Sequence, residues 1–552
     1  MPSVASHVAQ TLAQHVDHVF GVMGNGNAHF LDALERSTAA TFTAVRHEAG
    51  GVVAADAHHR AGGGLAAATA TYGAGFTNTL TALAEAVQAH VPLVLVVGDE
   101  PTSGPRPWDV DQIALASAVG ARTYTVGRAD AAATTVIAIE HALSYRVPTV
   151  LAIPYDVAKL EAGPVPAAPA PVVPAAPGPT GAFAAETVRE VAAALAVARR
   201  PLLIAGRGAW LSHAGTDLDA LADATGALTA TTALGRGVFS RVDTDLGVTG
   251  GFGAEGAMRT VADADVVVVF GASLNQFTMR FGALFRPGTR VVQVDTAPAA
   301  THPHVGTYLR ADAAAAARAI LTELERLGRS TTRWCDEVDV APLRAYEPGD
   351  DLAPDGRLDP RSAAARIAEL LPEDRVVVSD GGHFIGWANM YWPVASPDRM
   401  MMVGTAYQSI GLGFPSVPGA AMAKPESTIV LTTGDGGGLM AIADLESAVR
   451  VARGRGLAIV WNDRAYGAEI HMYGVMGLAT APMLIPEVDF AGLANAVGAE
   501  GVVVRTLGDL EALARWRERP AEERPFLLLD LRISGEVRAP YQEEILQVNL
   551  AR

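Results

Sequence analysis

Short apolar runs alternate along this chain with longer, Ala- and Leu-rich stretches of helical spacing. In the first part the runs are Leu65–Ala70, Pro92–Val97 and Val147–Ile153. In the middle they are Pro201–Ile204, Asp265–Phe270 and Arg290–Val294. Toward the end they are Arg375–Ser379, Thr428–Thr432, Leu457–Trp461 and Pro525–Asp530. The runs are continuously apolar rather than alternating, which predicts strands buried on both faces. Helices between the strands predict parallel sheets. Two segments break the rhythm: proline-rich Ala162–Thr180, and Val340–Pro360 with its turn formers and acids. The predicted fold class is therefore α/β, with three tandem doubly wound parallel-sheet domains at 1–161, 181–339 and 361–535 and a C-terminal tail at 536–552. Ligands of such folds sit at the carboxyl ends of strands, so residues just beyond these runs are the candidates for chemistry.

Composition narrows the partners. Half of the 552 residues are apolar and 18% are charged, enough for several cores and against disorder. Net charge is 42 − 59 = −17 with no basic tract, which argues against nucleic acid or an anionic membrane as partner. The single cysteine, Cys335, supplies neither an intrachain disulfide nor a zinc or iron–sulfur ligand set. The N-terminal residues lack signal-peptide character, and no apolar run approaches the ~20 residues of a membrane span. A cytoplasmic protein is expected. Lys159 and Lys424 are the only lysines, both in turn-like surroundings, so Schiff-base chemistry is disfavoured.

Two glycine-bearing turns stand out in the last block. Gly434-Asp435-Gly436-Gly437-Gly438 follows a strand, with a helix predicted over Met440–Val451. Glycines there let backbone N–H groups approach a phosphate. Asp435 would oppose that phosphate unless a cation lay between them. Alone, the segment reads more readily as a tight turn with a solvated Asp. The next strand ends in Trp461-Asn462-Asp463-Arg464-Ala465-Tyr466-Gly467. Neighbouring parallel strands would bring Asp435 and Asn462 side by side, as hard oxygen ligands for Mg²⁺ or Ca²⁺ shared with a diphosphate.

Gly434-Asp435-Gly436, followed by 25 residues and Asn462, resembles the signature of thiamine-diphosphate enzymes. The three-block order is similar to that of the acetolactate synthase, pyruvate decarboxylase and benzoylformate decarboxylase superfamily, over essentially the whole chain. The resemblance implies a pyrimidine-binding first block, a central block and a diphosphate-binding third block. It implies that Asp435, Asn462 and the backbone oxygen of Arg464 hold Mg²⁺, and that Gly434, Gly436, Gly437, Tyr466 and Gly467 surround the diphosphate. Arg46-His47-Glu48 matches an RHE-like motif, which assigns Glu48 to N1′ of the aminopyrimidine. Burial between subunits would raise its pKa toward the range acid–base work needs.

Thr69–Asn78 resembles the family's TSGPGxTN turn, placing Gly73 and Asn78 at the cofactor and Thr71 in the substrate pocket. Phe20–Gly26 resembles its FGxPGG turn, with Asn25 as a pocket residue; a dinucleotide loop is the weaker reading, because His29 replaces the third glycine. Asp380–Trp387 resembles a loop near the diphosphate and contributes Gly382, His383 and Phe384. Thr405–Gly413 resembles the segment whose bulky side chain bends the cofactor. Ile410 takes that role, beside Ser409.

The reaction is less determined. The stretch Gly98–Gln112 lacks the histidine pair of pyruvate decarboxylases, and Thr71 stands where benzoylformate decarboxylase has a histidine. Gln112 and His471 are pocket candidates. Glu469 roughly matches a catalytic glutamate of pyruvate decarboxylases; apolar Ile470 and Met472 beside it predict partial burial and a raised pKa. The resemblance implies a 2-oxo acid substrate that loses CO₂, followed by addition to an acceptor carbonyl, as in acetolactate synthase. The alternatives are a simple 2-oxo acid decarboxylase and a catalytically silent regulatory homologue, the latter disfavoured by Glu48, Asp435 and Asn462 together. A homodimer or homotetramer is implied, with the cofactor bridging two chains. Whether the central block binds FAD or ADP is left open.

Overall fold

The computed structural model describes residues 1–327 and 333–550, so short parts of the predicted central block and tail lie outside the described residues. Three six-stranded sheets appear, one per predicted block. The first holds β1 (His18–Gly21), β2 (Thr41–Ala44), β3 (Ala67–Ala70), β4 (Val94–Asp99), β5 (Arg122–Thr125) and β6 (Thr149–Pro154), in the order β2-β1-β3-β4-β6-β5. The second holds β7 (Pro201–Ala205), β8 (Leu228–Thr231), β9 (Asp245–Val248), β10 (Val266–Phe270), β11 (Arg290–Asp295) and β12 (Val305–Arg310), in the order β12-β11-β10-β7-β8-β9. The third holds β13 (Arg375–Ser379), β14 (Met400–Met402), β15 (Thr428–Gly434), β16 (Gly456–Trp461), β17 (Glu500–Val504) and β18 (Leu527–Leu531), in the order β14-β13-β15-β16-β18-β17. The strand pairs are parallel, as helix-linked buried strands require.

The three sheets are distributed over two compact units. One comprises Met1–Pro174, Asp351–Ile385 and Met401–Gly535, and holds the first and third sheets. The other comprises Ala175–Asp350, Gly386–Met400 and Glu536–Arg552, with the second sheet. In the first unit a single apolar cluster runs from Phe20, Val52 and Leu95 to Phe414, Leu431 and Val460. The helices Glu48–Arg60 and Gly413–Ala423 form its seam. Both are Ala- and Gly-rich, so their backbones meet: a Cβ at Gly419 would lie 1.8 Å from the Ala54 carbonyl oxygen.

A buried ionic cluster crosses the same seam. The Arg60 guanidinium bonds Asp56, donates to Glu85 Oε1 at 2.9 Å and to the Met402 carbonyl at 2.9 Å. Glu85 Oε2 accepts from the Tyr407 N–H at 2.7 Å. Charges buried this deeply are tolerable because each is paired and hydrogen-bonded. The cluster fixes the segment that leads from β14 to Ile410. No helix among the described residues is long and apolar enough to cross a membrane.

His58, in the seam helix, is 2% exposed and packs on His18 with ring centroids 4.9 Å apart. Burial, and then the charges of His18 and His59, push its pKa down to about 3. The unfolded chain takes up this proton near pH 6.5, whereas the folded chain does not. Stability from His58 is thus complete above about 6.5 and falls by about 1.4 kcal/mol per pH unit below it. Thermal unfolding between pH 7 and 5 should show His58→Gln losing less stability on acidification than the parent, by about 2 kcal/mol; parallel pH profiles would contradict this.

Candidate functional site

Gly434, the last residue of β15, registers with Trp461, the last residue of β16. Asp435 and Asn462 therefore leave the sheet side by side. The helix expected from Met440 begins earlier, at Asp435, and stops at Met440; a 3₁₀ turn at Ile442–Asp444 separates it from the helix Leu445–Ala452. The glycines are thus the first turn of the helix itself.

A half-open cleft of ≈ 460 Å³ lies at this carboxyl edge. Of the residues expected at the cofactor, Gly382, His383, Phe384, Ile410, Gly434, Asp435, Gly436, Gly437, Tyr466 and Gly467 line it, and so does Glu469. The glycines are there for space. A Cβ at Gly436 would lie 2.7 Å from the Tyr466 ring, and one at Gly437 2.6 Å from Asp380 Oδ2.

Asp435 and Asn462 are 3% and 1% exposed. Asp435 Oδ1 accepts from the Gly436 N–H at 2.9 Å. Its Oδ2, and Asn462 Oδ1, have no hydrogen-bond partner among the described residues. Buried oxygens are rarely left so. Burial, then the charge of Asp463, pushes the Asp435 pKa up to about 7, against the pull of the Gly436 N–H and His383. Arg464 adopts a left-handed φ of 65°, which turns its backbone back toward the sheet. Its carbonyl accepts from the Ile485 N–H at 2.8 Å, leaving one lone pair.

One carboxylate, one amide oxygen and one carbonyl suit a hard cation, but no cluster of three or more His, Cys, Asp or Glu side chains among the described residues could hold a metal unaided. The donor set fits Mg²⁺ whose remaining ligands come from a phosphorylated molecule in the glycine cradle.

Two further carboxylates shape the cleft. His383 Nε2 lies 3.0 Å from Asp463 Oδ2. Burial is the largest influence on the His383 pKa and lowers it, but Asp463, with Asp435 and Glu469, makes the net shift upward. Asp380 is fully buried, with Oδ1 accepting from Gly381 and Leu412 N–H and Oδ2 from Gly411 N–H and Thr433 Oγ1. Burial raises its pKa to about 6 despite these bonds. Sequence reasoning missed Asp463 and Asp380 as site residues. The signal that could have found them was that each directly or nearly follows a strand.

Other expectations are corrected. Glu469 is exposed, not partly buried, because Ile470 and Met472 follow it into a π-helical turn, Ile470–Gly474, rather than covering it. His471 is not among the cleft-lining residues; it is buried, with Nε2 2.8 Å from the Gly535 carbonyl and its ring edge-on to His383. Gln112 is also engaged elsewhere: it accepts from Gly73 N–H at 2.9 Å and donates to Gly98 O and Asp99 Oδ1. Its buried amide latches the turn at Gly73, whose φ of 59° favours glycine. Ser409 does not line the cleft either; its hydroxyl turns to the Ile410 carbonyl at 3.3 Å.

The first-block residues gather elsewhere. Glu48 opens its helix, half-buried, and accepts from Asn78 Nδ2 at 3.0 Å. Thr71 Oγ1 accepts from Gly26 N–H, and Asn25 Nδ2 donates to the Tyr72 hydroxyl. None of these residues lines the cleft of its own chain.

Comparison with known proteins agrees with this geometry. Residues 2–117 match the thiamine pyrophosphate enzyme N-terminal TPP binding domain, 188–324 the central domain and 380–528 the C-terminal TPP binding domain. The chain is 28% identical to a sulfoacetaldehyde acetyltransferase of Castellaniella defragrans, over 98% of this chain and 94% of that one. It is 27% identical to an acetolactate synthase large subunit of Parasynechococcus marenigrum, over 91% and 83%. Its fold is similar to a thiamine diphosphate-dependent 4-hydroxybenzoylformate decarboxylase of Rhodococcus jostii, with a TM-score of 0.78, 21% identity and coverage of 97% and 99%. With all three domain models matched in order along the chain, the protein belongs to the thiamine pyrophosphate enzymes.

Proposed function

We propose that this chain decarboxylates a 2-oxo acid and joins the remaining fragment to an acceptor carbonyl, in the manner of an acetolactate-synthase-like carboligase. The observation that carries the cofactor reading is the pair of buried, unpartnered oxygens, Asp435 Oδ2 and Asn462 Oδ1, beside a cradle that no Cβ could share. Bound thiamine diphosphate supplies the electron sink for loss of CO₂. Asp435, Asn462 and the Arg464 carbonyl hold Mg²⁺, and the glycine N–H groups face the diphosphate. Ile410, on the cleft wall, would contact the cofactor, its segment held by the Arg60–Glu85 cluster. Glu48 holds a proton against the aminopyrimidine.

Transfer to an acceptor is favoured over simple protonation by the first-block turns. Asn25 and Thr71 carry no acidic proton, and the histidines of the decarboxylases have no counterpart here. The acetyltransferase and synthase relatives point the same way. Two copies are required, because Glu48 lies off the cleft of its own chain. Met23, Trp108, Tyr407, Met440 and Tyr473 are exposed on segments that follow strand ends, the edge a second copy would cover. Water exclusion by that copy would also bury Glu469.

The deciding assay is CO₂ release from a panel of 2-oxo acids, with and without an added aldehyde or second oxo acid. Coupled product is expected when acceptor is present. Free aldehyde regardless of acceptor would establish the decarboxylase instead, and absence of turnover with cofactor bound would establish the silent homologue.

Asp435→Ala should abolish Mg²⁺-dependent binding of thiamine diphosphate in calorimetry, with no rescue by excess Mg²⁺. Unchanged affinity would remove the site. Glu48→Gln should bind cofactor while proton exchange at its reactive carbon slows by roughly 10²–10⁴-fold, the usual scale of acid–base help. Exchange at the parent rate would return Glu48 to a merely structural role.

A further inference from the structure

Asn462 has two ends, and only one can serve a cation. An amide presents an oxygen acceptor at one end and an NH₂ donor at the other, and its orientation is set by neighbours. Here two acceptors converge on the same end. Asn462 Nδ2 donates to Asp530 Oδ1 at 2.9 Å and to the Val488 carbonyl at 3.3 Å. Oδ1 is left at the other end, buried and without a partner among the described residues.

Asp530 is placed for this by the sheet. It lies on β18, the neighbour of β16, and registers with Val460. Side chains two apart along a strand share a face, so Asp530 lies on the same face as Val460 and Asn462. It is wholly buried and otherwise fully occupied: Oδ2 accepts from Phe490 N–H at 3.1 Å and from Arg532 Nη2 at 2.7 Å. Arg532, itself 4% exposed, also pairs with Glu487 at 3.1 Å. Held from behind by two donors to Oδ2, the carboxyl cannot rotate away from Asn462.

We propose that Asp530 is a positioning residue for the cation site: it fixes the Asn462 carboxamide with its oxygen, not its NH₂, toward the metal. The inference rests on the Mg²⁺ reading of the site. Outer partners that orient a ligand typically matter 10–100-fold in metal affinity.

The test uses the full-length protein with thiamine diphosphate and Mn²⁺ as probe, reading the Mn²⁺ dissociation constant by calorimetry or electron paramagnetic resonance. Four proteins are compared: parent, Asp530→Asn, Asn462→Asp and the double variant. Asp530→Asn cannot accept from Asn462, Phe490 and Arg532 all at once, so Mn²⁺ affinity should fall by about 10–100-fold. Asn462→Asp alone sets two carboxylates against each other and should also weaken binding. In the double variant the donor and acceptor exchange places: the amide now at position 530 donates to the carboxylate now at position 462, which keeps one oxygen for the cation. Affinity should recover at least tenfold over Asp530→Asn, a non-additivity that a packing defect would not produce. Circular dichroism of each variant confirms folding, and Asp530→Glu replaces any variant that does not fold, with affinity loss again expected. Parent affinity in Asp530→Asn, or losses that simply add in the double variant, would overturn the proposal. If the parent binds no Mn²⁺, the cation reading itself falls and this inference with it.

Discussion

One buried carboxylate sets the shape of the cleft. Asp380 stands just past β13 and collects four donors from three separate segments: Gly381, Gly411 with Leu412, and Thr433. A carboxylate buried without such bonds would be far too costly to keep ionised. With them it becomes a fixed point against which loops are measured. The Gly411–Leu412 bonds place Ile410 over the cavity. The Thr433 bond ties the same point to β15, whose next residues are the cradle. The approach is close enough that a methyl group at Gly437 would strike Asp380 Oδ2. Ile410, the glycine cradle and the strand end are therefore positioned as one body.

The first and third sheets share one strand order, so each element of one has a counterpart in the other. The Glu48–Arg60 helix follows β2, and the Gly413–Ala423 helix occupies the same position after β14. These equivalent helices pack on each other, which gives the unit an approximate two-fold character around its seam. The Thr71–Asn78 turn follows β3 as Asp435 follows β15. One topological position thus presents Glu48's neighbours on one side and the cation ligands on the other. Glu48 does not line the cleft of its own chain, an arrangement that the proposed pairing of two chains would complete.

The central strands were legible because burial on both faces leaves an unmistakable apolar run. All ten predicted runs are strands, within two or three residues at their ends. The strands not predicted from runs of this kind include all six sheet edges. Arg122–Thr125, Val305–Arg310 and Glu500–Val504 are largely half-exposed, so their sequences carry no continuous apolar signal. Within the site, glycines and the Asp435–Asn462 spacing could be read because backbone approach and strand register constrain sequence directly. Glu469, His471 and Gln112 could not. Whether a polar side chain faces a cleft or a carbonyl depends on a turn such as the π-helical segment after Glu469, and no local periodicity encodes that.

Titratable groups are distributed unevenly around the site. On the third-block side, His383 is paired with Asp463 and its pKa is shifted upward, burial opposing the pull of the carboxylates. Glu469 stands exposed on that wall of the cleft. On the first-block side, the turns are stiffened by neutral hydrogen bonds: Gln112 to Gly73, Thr71 to Gly26, Asn25 to Tyr72. Such turns can orient a carbonyl oxygen but cannot deliver a proton to carbon. Under the proposed carboligase reading they would hold an acceptor beside the cofactor, where Glu469 would protonate the alkoxide left by the new bond.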